Sequence, residues 1–390
     1  MKVLMINSVC GIRSTGRICT DLAEELEKQG HECKIAYGRE TVPEKYKKYA
    51  VRIGNSFSVK IDALKTRLFD NAGFNSKRAT KKFIKLVEKY NPDVIHLHNL
   101  HGYYINIEVL FDYIKKTGKK AIWTLHDEWS FTGHCAVLGV CEKWKEGCLN
   151  CVKNKAYPSS FVNKSKKNYL KKKELFTGVE DITLITPSKW LADLVKDSFL
   201  AKYYVKVINN GIDVSIFKPT ESNFRERFNL LDKKIVLGVA SAWGKGKGIQ
   251  DFLKLSKVLQ DNYKIVLVGV TEEQKKHLPK DILAISRTSN VKELVEIYST
   301  ANVFVNPTYI DNYPTVNLEA QCCGTSVITY NTGGSVESVP QEYVVEQGNV
   351  DKLAEMIVKV CKHVKAKVLN LESFDKKSMI REYLKVYKFN

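Results

Sequence analysis

Residues 306–334 read NPTYIDNYPTVNLEAQCCGTSVITYNTGG. An apolar run ends at Asn306, a polar loop follows, a helix starts near Thr315, a second apolar run spans 326–329, and a Gly-Gly turn closes the segment. Pro314 restricts the chain just before the helix. A helix N-terminus offers free amides and about half a positive charge, which suits a phosphate. The amides of Thr315, Val316 and Asn317 are therefore placed to face an anion. Glu319, one turn into the helix, is placed to accept from a vicinal diol such as a ribose. Asp311, with Asn312 beside it on the preceding loop, is placed to hold sugar hydroxyls. Taken alone, the two acids also fit an ordinary loop Asp and a helix Glu on a wet face.

The same alternation continues outward in both directions. In the first half, 3–6, 33–37, Val94–Leu97, 121–125, 183–186 and 205–208 read as strands, and 16–30, 79–90 and Ile107–Thr117 as helices. The pattern restarts with strands over 235–239, 264–268, 284–285, Val303–Asn306 and 326–329, and helices over 248–260, 291–299, Thr315–Cys322 and 350–363. Strands alternating with helices predict parallel sheets with helices on both faces. The expected fold is α/β, with two doubly wound halves facing a cleft. Boundaries are expected at 1–206, 207–372 and 373–390. The joint at 209–220, NNGIDVSIFKPT, has turn chemistry and a Pro. Ligands of such sheets bind at the carboxyl ends of the strands.

With 390 residues and 44% hydrophobic residues, the chain is long enough for two cores and is neither disordered nor fibrous. No apolar run reaches the length that spans a bilayer. The N-terminus, MKVLMINSVC, reads as a first strand rather than a leader. A cytoplasmic location is expected, with the ten Cys as reduced thiols or metal ligands. The net charge is +19, and its excess is concentrated in the first half, with basic density highest over 60–89 and 153–173. Such patches are either solvated faces or attractors of anionic surfaces, membrane lipid or nucleic acid. With no recognition motif or aromatic-basic interleaving, nucleic acid is not the expected partner.

The segment DNYPTVNLEA, with two acids separated by seven residues and a following strand and Gly-Gly, resembles the signature of family 4 glycosyltransferases. These are retaining enzymes of the GT-B fold. Asp311 stands where the family commonly has Glu. The resemblance extends along nearly the whole chain. GIRSTGRICTDLAEELEKQGHE is similar to the family's first loop and helix, with Gly11, Ser14, Thr15 and Gly16 at the positions where backbone approaches donor and acceptor. WTLHDEW resembles the family's strand-end His. His126 then contacts the donor sugar near the reacting carbon, and Asp127 either orients it or caps the loop. LGVASAWGKGKGIQDF resembles the phosphate-binding loop of the second domain, with Lys247 neutralising the donor diphosphate. Ser241, Ala242 and Trp243 stand where many relatives carry an Arg, so either Lys245 substitutes or backbone amides carry more of the load. ITPSKWLAD, with Ser188 as N-cap, and the joint itself match architectural stretches. FDKKSMIREYLKVY resembles the terminal helix that packs back on the first domain, with Met379, Ile380, Leu384 and Tyr387 on one face.

His134, Cys135, Cys141, Cys148 and Cys151 fall within eighteen residues and end in a C-x-x-C pair. Four close thiols fit either a structural zinc site or packed thiols. This insert, 134–151, follows His126 and is expected to shape the acceptor side. The resemblance implies transfer of a sugar from a nucleotide-diphosphate sugar to a glycan acceptor, lipid-linked and at an anionic membrane surface, where the enzyme sits as a peripheral protein. Capsule, O-antigen or exopolysaccharide assembly is the expected setting. The diphosphate charge is met by Lys247 and helix amides, so no catalytic metal is required. A related-fold sugar-nucleotide epimerase or glycoside phosphorylase, and a basic nucleic-acid-binding protein, are the alternative readings.

Overall fold

The computed structural model describes residues 1–151, 155–362, 369 and 371–388. Of the segments read above, residues 152–154, 363–368, 370 and 389–390 fall outside them. The chain forms two compact units, 1–208 with 382–390, and 209–381.

The first unit is built on seven strands, β1 (Lys2–Ile6), β2 (Glu32–Tyr37), β3 (Ala50–Arg52), β4 (Val94–Leu97), β5 (Lys120–Thr124), β6 (Ile182–Thr186) and β7 (Tyr204–Val207). They pair in the order β3-β2-β1-β4-β5-β6-β7, all parallel. The central strands read as continuous apolar runs because helices cover both faces of the sheet. Every residue of β4 is buried, including His96. That ring is satisfied by Tyr387 Oη at 2.6 Å on one nitrogen and Thr124 Oγ1 at 2.8 Å on the other. Phe111, Trp123 and Phe176 form an aromatic centre, with ring centroids 4.5–5.5 Å apart.

The second unit has six strands, β8 (Lys234–Val239), β9 (Tyr263–Val268), β10 (Leu283–Ile285), β11 (Val303–Asn306), β12 (Val327–Tyr330) and β13 (Val344–Val345). Their order is β10-β9-β8-β11-β12-β13, again parallel throughout. The joint is stitched to the start of the last helix inside this unit. Ile212 N–H donates to Phe374 O at 2.8 Å, Lys376 N–H returns to Ile212 O at 2.8 Å, and Lys376 pairs with Asp213 at 2.9 Å.

The last helix, Lys376–Tyr387, returns to the first unit over its second half. Tyr387 reaches His96, and Tyr383 Oη lies 3.1 Å from Thr124 Oγ1. Tyr383 is buried where Leu384 was expected; Leu384 is only half-buried. The first helix is Arg13–Lys28, starting three residues before the expected position. Ser14 and Thr15 are therefore first-turn residues of a helix rather than loop residues. The edge strands β3 and β13, and the helices Ser56–Phe69 and Ser165–Phe176, were not anticipated from the pattern.

Candidate functional site

In the second unit, two loops at the carboxyl ends of β8 and β11 are clipped together. Gly246 O accepts from Tyr309 N–H at 2.9 Å and from Thr308 Oγ1 at 3.1 Å. Gly248 has φ +72, and a Cβ there would stand 2.2 Å from Pro307 O, so only glycine lets the loops approach this closely. Across this clip, Lys247 Nζ meets Asp311 Oδ2 at 2.5 Å. Asp311 is held on its other sides as well. Its Oδ1 accepts from Asn312 N–H at 2.9 Å, and its carbonyl accepts from Gly334 N–H at 3.0 Å. The Gly-Gly turn thus shapes the acid-bearing loop. Lys245 is exposed in the short turn Lys245–Lys247.

The helix Thr315–Cys322 starts directly after Pro314, as the sequence indicates. Thr315 and Val316 supply first-turn amides with no intrahelical carbonyl to meet. Asn317 is different. Its amide donates to Pro314 O at 3.1 Å. Its buried side chain accepts from Asn306 Nδ2 at 2.9 Å and donates to Ser338 Oγ at 2.9 Å. Asn317 therefore ties the helix to β11 and to the turn after the Gly-Gly pair. Glu319 is buried, and its Oε2 accepts from Tyr298 Oη at 3.0 Å. Burial, then the neighbouring carboxylate, pushes the Tyr298 hydroxyl well above its usual range, so it stays a donor. Trp243 is a core residue here, buried against Phe252 with its indole N–H on Val268 O at 2.9 Å.

The first unit gathers histidines at the ends of β4 and β5. His126 lies one residue past Leu125 and is half-buried. His98 Nδ1 sits 3.0 Å from His126 Nε2, with the rings stacked at 5.3 Å. One of the two must donate, so the tautomers of His98 and His126 are coupled. Burial lowers His126 to about 4 despite the opposing pull of Asp127, and lowers His98 well below its ordinary range. Both are neutral at pH 7. Asp127 bonds to His101 at 2.6 Å and accepts from Trp129 N–H at 3.0 Å. Burial raises its carboxyl, but these partners, His101 foremost, hold it below the ordinary range. It is a local brace for the loop as well as a neighbour of His126. Asn7, at the end of β1, was not singled out from the sequence. Its buried side chain donates to Val9 O at 2.8 Å and to Thr15 Oγ1 at 3.3 Å, linking the strand end to the first helix. Gly11 has φ +72, and Gly16 is buried in the first turn.

Two cysteines of the insert, Cys148 and Cys135, lie near a buried lysine. Lys172 Nζ donates to Trp129 O at 2.7 Å and Thr132 O at 3.1 Å, and lies 3.4 Å from the Trp129 ring centroid. Burial brings it down to about 7. Gly133 N–H donates to Cys148 Sγ at 3.1 Å, and His134 pairs with Asp70 at 2.5 Å. Cys135 and Cys148 are buried, and Cys141 and Cys151 half-buried. Among the described residues, no three His, Cys, Asp or Glu side chains group as metal ligands. His134 is turned to Asp70 and Ala156 O, so it does not complete a thiol set.

Two parallel doubly wound units, a final helix returning to the first, and strand-end loops carrying these groups define a GT-B glycosyltransferase. The chain matches the model of Glycosyltransferase Family 4 over residues 15–216, more than half its length, and that of Glycosyl transferases group 1 over 220–368; it belongs to Glycosyltransferase Family 4. It is 23% identical to the putative colanic acid biosynthesis glycosyl transferase WcaC of Escherichia coli over 349 residues, covering 86% of this chain and 85% of that one. It is 28% identical to the N,N'-diacetylbacillosaminyl-diphospho-undecaprenol alpha-1,3-N-acetylgalactosaminyltransferase of Campylobacter jejuni over 218 residues, covering 50% of this chain and 57% of that one. In fold it is similar to Anabaena HepE, solved in complex with UDP and glucose, with a TM-score of 0.69 at 13% identity and 99% coverage of both chains.

Proposed function

We propose that this glycosyltransferase moves a sugar, with retention of configuration, from a nucleotide-diphosphate sugar to a lipid-linked glycan acceptor in surface-polysaccharide assembly. The observation that carries the reading is the clip in the second unit, which sets Lys247 and Asp311 beside the amino end of the Glu319 helix. Departure of a nucleoside diphosphate builds negative charge on its phosphates. Lys247 and the amides of Thr315 and Val316 supply positive field for that charge, so the step calls for no catalytic metal. Lys247 exchanges its bond to Asp311 for one to phosphate, which frees the Asp311 carboxylate for a sugar hydroxyl. Glu319 takes the ribose diol, and neutral His126 positions or polarises the sugar near the reacting carbon. Same-face attack, with the leaving phosphate taking the acceptor proton, needs no nucleophile from the protein. The names of the Escherichia coli and Campylobacter relatives support a surface glycan and a polyprenyl-diphosphate carrier. No helix among the described residues is long and apolar enough to cross a membrane. The reading places the enzyme as a peripheral protein at the cytoplasmic leaflet, because that is where it would meet a lipid-linked acceptor.

A thermal-shift screen across UDP-, GDP- and dTDP-sugars tests it, because a ligand that binds the native state raises the unfolding temperature. One nucleotide class should shift the wild type, and Lys247→Ala should abolish that shift while unfolding at the unliganded temperature. An equal shift in Lys247→Ala would remove the assignment of the phosphate site.

A further inference from the structure

The helix Ser56–Phe69 is built inside out. The residues it buries most deeply are polar, with Val59 packed beside them against the core of the first unit. Asp62 and Thr66 are buried, and Asp62 accepts from Ser76 Oγ at 2.5 Å and Asn75 Nδ2 at 3.1 Å. Val59 and Ala63 are half-buried at the flank of that contact. The larger apolar residues point the other way. Phe57, Ile61, Leu64 and Leu68 recur at helical spacing on one face, 71%, 37%, 57% and 42% exposed. An amphipathic helix of a soluble domain normally buries its apolar stripe. Exposed apolar surface of this extent marks a face that something else covers.

The loop before Ser165 extends the patch. Phe161 is 70% exposed, and its N–H donates to Arg67 O at 2.8 Å, which fixes the loop to the end of the helix. The Arg67 guanidinium lies 5.6 Å from the Phe161 ring centroid, and the Lys164 ammonium 5.6 Å from that of Phe69. Lys60 and Lys65 on the helix are exposed, as are Lys166 and Lys167 just past Lys164 in the chain. The helix's one acid, Asp62, is bonded inward. The outward surface is therefore apolar and cationic, with no carboxylate from the helix.

We infer that this face docks on an anionic lipid bilayer. Phe57, Leu64, Leu68 and Phe161 enter the headgroup region while the lysines and Arg67 meet lipid phosphates. A second copy of the chain would bring the same cations against themselves, which disfavours self-association through this face. The inference deepens the reading of a lipid-linked acceptor and rests on it for its purpose, but its geometry stands on the helix alone.

Co-sedimentation with phosphatidylcholine vesicles, with and without phosphatidylglycerol, tests the face. Wild type should bind only the phosphatidylglycerol vesicles, and less as salt rises. Phe57→Ser/Leu64→Ser/Leu68→Ser should lose binding by more than about tenfold, and Lys60→Gln/Lys65→Gln by roughly 25-fold. These side chains lie outside the core, and an unchanged unfolding temperature verifies the fold. Indifference to phosphatidylglycerol, or retention by the triple-serine variant, would overturn the inference. So would a wild-type dimer that the triple-serine variant converts to monomer. Nucleotide-sugar thermal shifts on the same samples separate the two ideas. Vesicle binding without any donor shift would defeat the proposed donor site and leave the docking face intact, and the reverse result would defeat only the face.

Discussion

The Glu319 carboxylate is buried and already holds one hydrogen bond, from Tyr298. It therefore serves the fold and the proposed ribose contact together, and substitutions can separate the two. Glu319→Gln keeps an acceptor for the Tyr298 hydroxyl but removes the charge. Its stability should stay within about 1 kcal/mol of wild type, while loss of a charge-assisted bond of about 1.5–3 kcal/mol weakens donor use by roughly 10- to 150-fold. Glu319→Ala should add about 1–3 kcal/mol of destabilisation for the hydroxyl left without that partner. Urea unfolding alongside steady-state kinetics checks both; wild-type turnover in Glu319→Gln would dismiss the ribose role. Asp311 and Glu319 stood out in the sequence through a short, local spacing, and Lys247 through the resemblance of its loop to a phosphate-binding one; that Lys247 meets Asp311 comes from the fold. Tyr298, Asn7, His98 and Lys172 were not, because each acts through a partner or a strand end that the fold alone brings near. Asn317 sits at the right spacing for a phosphate amide, yet that amide and its side chain bond within the unit.

At the scale of elements, the interior of both sheets was readable. β4 and β11 fall on their expected bounds because strands covered on both faces are largely apolar, and their polar members, His96 and Asn306, are hydrogen-bonded inside. The strands β3 and β13 have three and two residues at sheet edges, too few to show a period. The helix Ser56–Phe69 was missed for a different reason. Its sequence does carry an apolar stripe, but the face it buries is the polar one, so no core-facing pattern announces it. The clip between the loops after β8 and β11 is likewise a property of elements. Gly248→Ala forces an L-residue into the left-handed region and sets its Cβ against Pro307 O. A cost of about 1–3 kcal/mol is expected, with donor affinity falling as Lys247 moves away from the Asp311 loop. Gly246→Ala is the control, since a Cβ there meets nothing within 4 Å and φ is not in the left-handed region. Isothermal titration with the stabilising nucleotide sugar, together with urea midpoints, should show a defect only in Gly248→Ala. Equal behaviour of the two variants would mean the clip does not shape the site.

Across the whole molecule, the buried histidines are unevenly divided between the two units among the described residues. His96, His98 and His126 belong to the first, and burial lowers all three, His96 to about 3 and His126 to about 4. The described histidine of the second unit, His277, is exposed on a surface helix. A histidine held neutral in the fold takes up a proton on unfolding once pH drops below about 6.5. The unfolded state then binds more protons than the folded one, so stability is fully present above about pH 6.5 and falls as pH drops toward the folded values. For fully buried His96 alone, moving from pH 7.5 to pH 5 should cost about 2 kcal/mol, with His98 and His126 acting in the same direction. Carboxylates with ordinary values contribute little in this window, because they titrate below it. Trp123, Trp129, Trp144 and Trp190 lie in the first unit and Trp243 in the second. Tryptophan fluorescence of a Trp243→Phe variant therefore follows the first unit selectively. Its urea midpoint should fall between pH 7.5 and pH 5, and His96→Gln, which can still bond Tyr387 or Thr124, should reduce that slope. A midpoint that stays level to pH 5 would show that these rings accept protons without cost, and the neutral state assigned to His126 would fall with it.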